Sequence, residues 1–144
     1  MKVVVIDGQG GRIGKLVVEK LVKSGAFDGE THELIAIGTN TIATAAMLKA
    51  GAPLGATGDN PAAVNCADAD VVVGPIGIIA ANALLGEVTP KMAFAVAACR
   101  ARKLLIPTGR CNIAVPGMGN VSIADCVQAA VENILQELTK KCMG

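Results

Sequence analysis

Val3, Val4, Val5 and Ile6 form an unbroken apolar run that Asp7 and Gly8 close. A short β-branched run bounded by a turn residue predicts a buried strand over residues 2–7. From 11 to 24 the pattern changes period, with apolar residues at 13, 16, 17, 18, 21 and 22 and charges at 12, 15, 19, 20 and 23. That spacing predicts an amphipathic helix, stopped by Gly25. Residues 32–37 repeat the strand pattern and end at Gly38, completing a first strand–helix–strand unit. Thr39, Asn40 and Thr41 offer N-caps for a helix through residue 49. Asp59 and Asn60 before Pro61 predict a short helix to about residue 67, because proline sits comfortably at the start of a helix.

Residues 70–74 read as the third clear strand, and 52–58 fit either a strand or a loop. The apolar stretch 71–86, interrupted by Pro75, Gly77 and Asn82, reads as a buried strand, a loop and the start of a buried helix. Thr89 and Pro90 cap a helix to about 102, a fourth strand follows over 103–107, and 112–115 reads as a short edge strand. Ser122 and Asp125 open a last helix, in the manner of a capping box, that runs to about 141. Near-continuously apolar strands alternating with helices predict a parallel sheet covered on both faces. The expected fold is α/β: one three-layer Rossmann-like domain over residues 1–144, with a mainly parallel sheet of about four to six strands.

Composition narrows the partners. Residues of the AVILMFWYC set make up 52% of the chain and charged residues 17%, against a usual charged share of about 25%. Thirteen Lys and Arg against twelve Asp and Glu leave a net charge of +1, and aromatic residues are 1%. Neither the basic excess nor the stacking surface of a nucleic-acid binder is present. The stretch 71–86 falls short of the roughly 20 apolar residues that span a bilayer, so no membrane is expected. The start carries one positive charge and too short an apolar run for export. Cys66, Cys99, Cys111, Cys126 and Cys142 are odd in number and lack the C-x-x-C spacing of a zinc knuckle. A cytoplasmic chain with free thiols and no metal is expected. So little charge also favours covering apolar surface in a homo-oligomer.

Candidate chemistry concentrates in Asp7-Gly8-Gln9-Gly10-Gly11-Arg12-Ile13-Gly14, between the first strand and the first helix. Glycines permit close backbone approach, and N–H groups at a helix start favour a phosphate or carboxylate. Arg12 can add a charge-assisted contact. The alternative is a tight turn without a ligand. The heptad Gly-Gln-Gly-Gly-Arg-Ile-Gly resembles the nucleotide loop of dihydrodipicolinate reductases, which implies that the backbone of 9–13 and Arg12 face a pyrophosphate. That family's His-His catalytic motif is excluded by the single histidine, His32. The acid expected after the second strand, for a ribose hydroxyl, is replaced by Gly38-Thr39-Asn40. Asp28 and Glu30 should lie at the opposite end of the sheet, so Thr39 or Asn40 is the candidate ribose partner.

The carboxyl ends of the other strands add Gly74, Pro75 and Ile76, the last as an apolar wall for a base or acyl group, and Thr108, Arg110 and Asn112 for a phosphate or carboxylate. Plain turns and solvated loop polarity account for the same residues without a ligand. Arg110 beside Cys111 would favour a thiolate, making Cys111 a candidate nucleophile. Asp7 is a candidate base or metal ligand, or an acceptor that orients the loop. Asp68 and Asp70, at the start of the third clear strand, are expected to be solvated.

Ile-Asp-Gly-Gln-Gly-Gly at the start, Gly-Thr-Asn-Thr-Ile-Ala-Thr at 38–44, Val-Gly-Pro-Ile-Gly-Ile at 73–78 and Thr-Pro-Lys-Met-Ala at 89–93 resemble a family of small uncharacterised bacterial proteins with a single Rossmann-like domain of unknown function. The resemblance implies a bacterial cytosolic protein and assigns no catalytic residue. The leading expectation is binding of a phosphate-bearing small molecule, NAD(P) or another nucleotide, across the loops at 8–14, 38–41, 74–77 and 107–112. The alternatives are a small oxidoreductase or acid–base enzyme acting on a phosphorylated metabolite, and a structural or sensory homo-oligomer.

Overall fold

The computed structural model describes residues 1–144. Five strands, β1 (Lys2–Asp7), β2 (Glu33–Gly38), β3 (Leu54–Thr57), β4 (Val71–Pro75) and β5 (Arg102–Ile106), form one sheet in the order β3-β2-β1-β4-β5. All four pairings are parallel. Helices α1 (Arg12–Lys23), α2 (Thr41–Lys49), α3 (Asp59–Cys66), α4 (Pro90–Ala98) and α5 (Ile123–Met143) cover it.

Alternation along the strands sorts side chains into two cores. Val3, Val5, Leu34, Ala36, Val71 and Val73 pack towards α1, α2 and α5. Val4, Ile6, Ile35, Ile37 and Val72 pack towards α3 and α4. Removing such a side chain from water stabilises by about 1.5–3 kcal/mol, which explains why β1, β2 and β4 carry almost no polar residue. The result is the expected three-layer α/β domain with a parallel sheet. The crossovers reverse direction between β1 and β4, where a crevice opens beyond the carboxyl ends of the strands.

Local chemistry fixes the helix starts. Asn40 accepts at 2.8 Å from the N–H of Ala43 to cap α2, Thr89 caps α4 ahead of Pro90, and Ser122 caps α5. The ambiguous 52–58 segment contains the edge strand β3. Four expectations are corrected. The helix beginning at Pro90 stops at Ala98, because Cys99 turns extended and Arg102 already belongs to β5. No edge strand forms at 112–115, since Asn112 (φ 51°) ends a 3-10 turn in the left-handed region. After β4 the chain makes a 3-10 turn over Ile76–Ile79 and a series of tight turns to residue 88, in place of a helix start. Asp70 is paired, with Lys141 and the N–H of Lys2, whereas Asp68 stays largely exposed as expected, with Lys2 at 2.5 Å.

Candidate functional site: a glycine turn and its carboxylates

The turn between β1 and α1 is held from below by Asp7. This buried carboxylate accepts from the N–H of Gly8 through Oδ1 and of Gly14 through Oδ2, each at 2.7 Å. Burial pushes its pKa up, partly offset by the N–H groups of Gly14, Gly8 and Ile13; the charge of Glu87 adds a small upward push. Asp7 therefore ties both ends of the turn together and does not engage the Arg12 side chain.

The glycines divide by role. A Cβ on Gly8 would meet Thr39 Oγ1 at 2.7 Å, on Gly11 (φ 72°) the Ala43 backbone at 2.9 Å, and on Gly14 the Met47 sulfur at 2.5 Å. Those three allow close packing of β1, α1 and α2. A Cβ on Gly10 would meet nothing nearer than Arg12 Cγ at 4.0 Å, so Gly10 fronts open space. The N–H of Gly11 closes the turn on the carbonyl of Gly8 at 2.9 Å, whereas the N–H groups of Gly10 and Arg12 have no protein acceptor.

That open space is a cavity of about 270 Å³ at the β1/β4 crevice, lined by residues 7–13 and by Leu16, Pro75, Leu84, Thr108, Arg110, Ile123 and Ala124. Arg110 reaches across its mouth and donates through Nη1 to Gln9 Oε1 at 3.2 Å. Arg12 and Arg110 thus line a cavity with unpaired N–H groups, an arrangement suited to an anion.

Other candidates lie elsewhere. Ile76 lines a separate apolar cavity with Leu104, Leu105 and Met118, so it is no wall of the glycine-turn cavity. Gly74 is pressed against the carbonyl oxygen of Ile6, which a Cβ would approach to 2.1 Å, and Asn112 lies outside the cavity lining. Cys111 is buried with its sulfur over Gly77, and burial pushes its pKa up despite the N–H of Gly77. Arg110 is not among the groups that shift this thiol; burial dominates. His32 lies at the opposite end of the sheet, against the chain's amino terminus, where Asp28 also sits.

Thr39 and Asn40 are both engaged by a residue the sequence did not single out. Glu87 Oε1 accepts from Thr39 Oγ1 at 2.7 Å, Asn40 Nδ2 at 2.6 Å and the N–H of Gln9 at 2.9 Å. Burial opposes its charge, but these three donors outweigh it and hold its pKa below the usual value. The available signal is that Glu87 is the single charged residue between Asp70 and Lys91. No curated protein matches the chain. Residues 2–139 match the family described as a domain of unknown function, DUF3842, and the chain belongs to that family.

Proposed function

We propose that this domain binds a phosphate-bearing small molecule, a nucleotide or dinucleotide foremost, in the cavity over the glycine turn. The observation that carries the reading is the pair of unpaired N–H groups, on Gly10 and Arg12, at the start of α1 in a cavity that Arg12 and Arg110 line. A phosphate there gains backbone donors, the helix dipole and charge-assisted contacts together. Thr108 adds a hydroxyl, and Leu84, Pro75 and Ile123 add apolar wall. A dinucleotide such as NAD(P) is larger than this cavity, so its pyrophosphate would sit here and the remainder would extend along the crevice. Binding is favoured over acid–base or thiol chemistry because both Asp7 oxygens accept from the backbone of the turn and Cys111 is buried, with burial pushing its pKa up.

Melting temperature against inorganic pyrophosphate, ADP, NADH and NADPH tests the reading. Ligand at 100 times its Kd stabilises by about 2.7 kcal/mol, a rise of roughly 2–4 °C per kcal/mol for a chain near this size. Arg12→Ala should weaken binding about tenfold or more, the loss of roughly one charge-assisted contact, and Gly10→Ala should weaken it because its methyl group enters the space a ligand would fill. No shift with any of the four compounds would overturn the reading.

A further inference from the structure

Glu87 belongs to the connection between β4 and α4, yet its carboxylate lies against the end of β2. In dinucleotide-binding sheets an acid at the end of the second strand accepts a hydrogen bond from the ribose 2′-hydroxyl. Here that place holds Gly38, Thr39 and Asn40, none of them acidic. We infer that Glu87 supplies the missing carboxylate from across the sheet, so that the ligand of the glycine-turn cavity is a nucleotide with a free ribose 2′-hydroxyl, and 2′-phosphorylated nucleotides are rejected. This rests on the phosphate-site reading above and specifies it.

Four observations support the role. Oε1 is saturated by Thr39, Asn40 and the N–H of Gln9, while no protein donor reaches Oε2, which leaves one carboxylate oxygen to accept from a ligand. Its fixed position means that little side-chain entropy remains to be lost on binding. The backbone that presents it is equally set: Asn82, Leu84 and Leu85 all adopt left-handed φ, and buried Leu84 and Val88 anchor the chain on both sides of Glu87. Gly8 makes the approach feasible, since a Cβ there would meet Leu84 Cδ1 at 2.8 Å and Glu87 Oε1 at 3.3 Å. Glu87 also touches the turn through Gln9, whose side chain borders the cavity. Glu87, Thr39 and Asn40 lie outside the cavity lining, one residue's width away behind Gln9, so a ligand with its phosphate on the Gly10 and Arg12 N–H groups meets the carboxylate where it extends past Gln9 towards the end of β2. A 2′-phosphate at that point would face an ionised carboxylate in a partly desolvated site, where like charges repel strongly.

Isothermal titration of the full chain with inorganic pyrophosphate, with ADP and GDP and their 2′-deoxy forms, and with NADH and NADPH tests the inference. A hydroxyl donating to a carboxylate is worth about tenfold or more in affinity. The ribose diphosphate should therefore exceed its 2′-deoxy form by about that factor, and NADH should exceed NADPH by at least as much. In Glu87→Gln, folded by circular dichroism, both ratios should fall below about threefold, because the amide neither repels a phosphate nor accepts as strongly. Equal binding of ribose and deoxyribose forms by the natural chain, or ratios that persist in Glu87→Gln, would overturn the inference. Pyrophosphate binding without nucleotide binding would overturn it and leave the phosphate site standing. Failure of pyrophosphate and every nucleotide alike would overturn both.

Discussion

Asp7 shows how one side chain can fix a loop. Both its oxygens accept from buried backbone donors on either side of the turn. Asp7→Asn turns one acceptor into a donor and leaves the N–H of Gly8 or Gly14 facing an amide N–H, a cost of about 1–3 kcal/mol. The pH dependence follows from the raised folded-state pKa, caused chiefly by burial. Folded Asp7 holds its proton more tightly than unfolded Asp7, so its contribution to stability is complete below the unfolded pKa and is lost as pH rises through the folded one. Urea unfolding of the natural chain and Asp7→Asn from about pH 4 to 8 should show the natural chain's advantage shrinking as pH rises; an advantage that grows would mean the folded pKa is lowered. The neighbouring glycines separate stability from binding. Gly11→Ala drives a Cβ into the Ala43 backbone at a residue with φ 72°, and should lower stability by about 1–3 kcal/mol in thermal unfolding. Gly10→Ala points into open space and should leave the melting temperature within about 2 °C while weakening the ligand.

The helix–strand junctions depend on single polar residues that serve two elements at once, Asn40 most of all. Its oxygen caps α2 through the N–H of Ala43, and its Nδ2 donates to the carbonyl of Gln9 at 3.0 Å and to Glu87. Asn40→Asp keeps the cap, since either residue serves as an N-cap, but sets a second carboxylate against Glu87. Stability should fall at neutral pH, and Glu87→Gln should restore about 1 kcal/mol or more of it in a double-mutant cycle; additive losses would show that the two side chains are uncoupled. Asn40 was legible as a cap because capping is local. Likewise β1, β2 and β4 were legible because burial on both faces leaves an unbroken apolar run. The strand β3 was ambiguous because Leu54 and Gly55 are exposed at the sheet edge and give no periodicity. The end of α4 was misplaced because Cys99–Ala101 carries no glycine or proline and the sheet, not the sequence nearby, demands the turn. The Glu87 contact was illegible for the same reason at longer range: it joins residues 39, 40 and 9 to a connection far along the chain, and no local pattern encodes which loops meet.

Across the whole molecule, the parallel topology gathers the glycine turn and its polar neighbours at one end of the sheet and a separate set of polar residues at the other. The glycine turn, Glu87, Thr108 and Arg110 gather at the carboxyl ends, while His32, Asp28 and the Asp70–Lys141 pair gather at the amino ends. The connection from β5 to α5 ties the cavity to the α3 and α4 core: Thr108 and Arg110 line the cavity, and the adjacent Cys111 is buried in that core. The five free thiols report on this arrangement. Cys142 is exposed near the end of α5, whereas Cys66 is buried with its pKa pushed up to about 12, burial being the main cause. The thiolate is the reacting form, so at pH 8 a maleimide should modify Cys142 first and Cys66 only through unfolding. Cys111 is buried in the same segment that carries Arg110 and Thr108, so a ligand that engages those two side chains should slow its exposure. Pyrophosphate should therefore slow modification of Cys111, measured by peptide mass, and leave the rate at Cys142 unchanged. Equal slowing at both would indicate general stabilisation, and no change at Cys111 would place the anion away from the β5 loop.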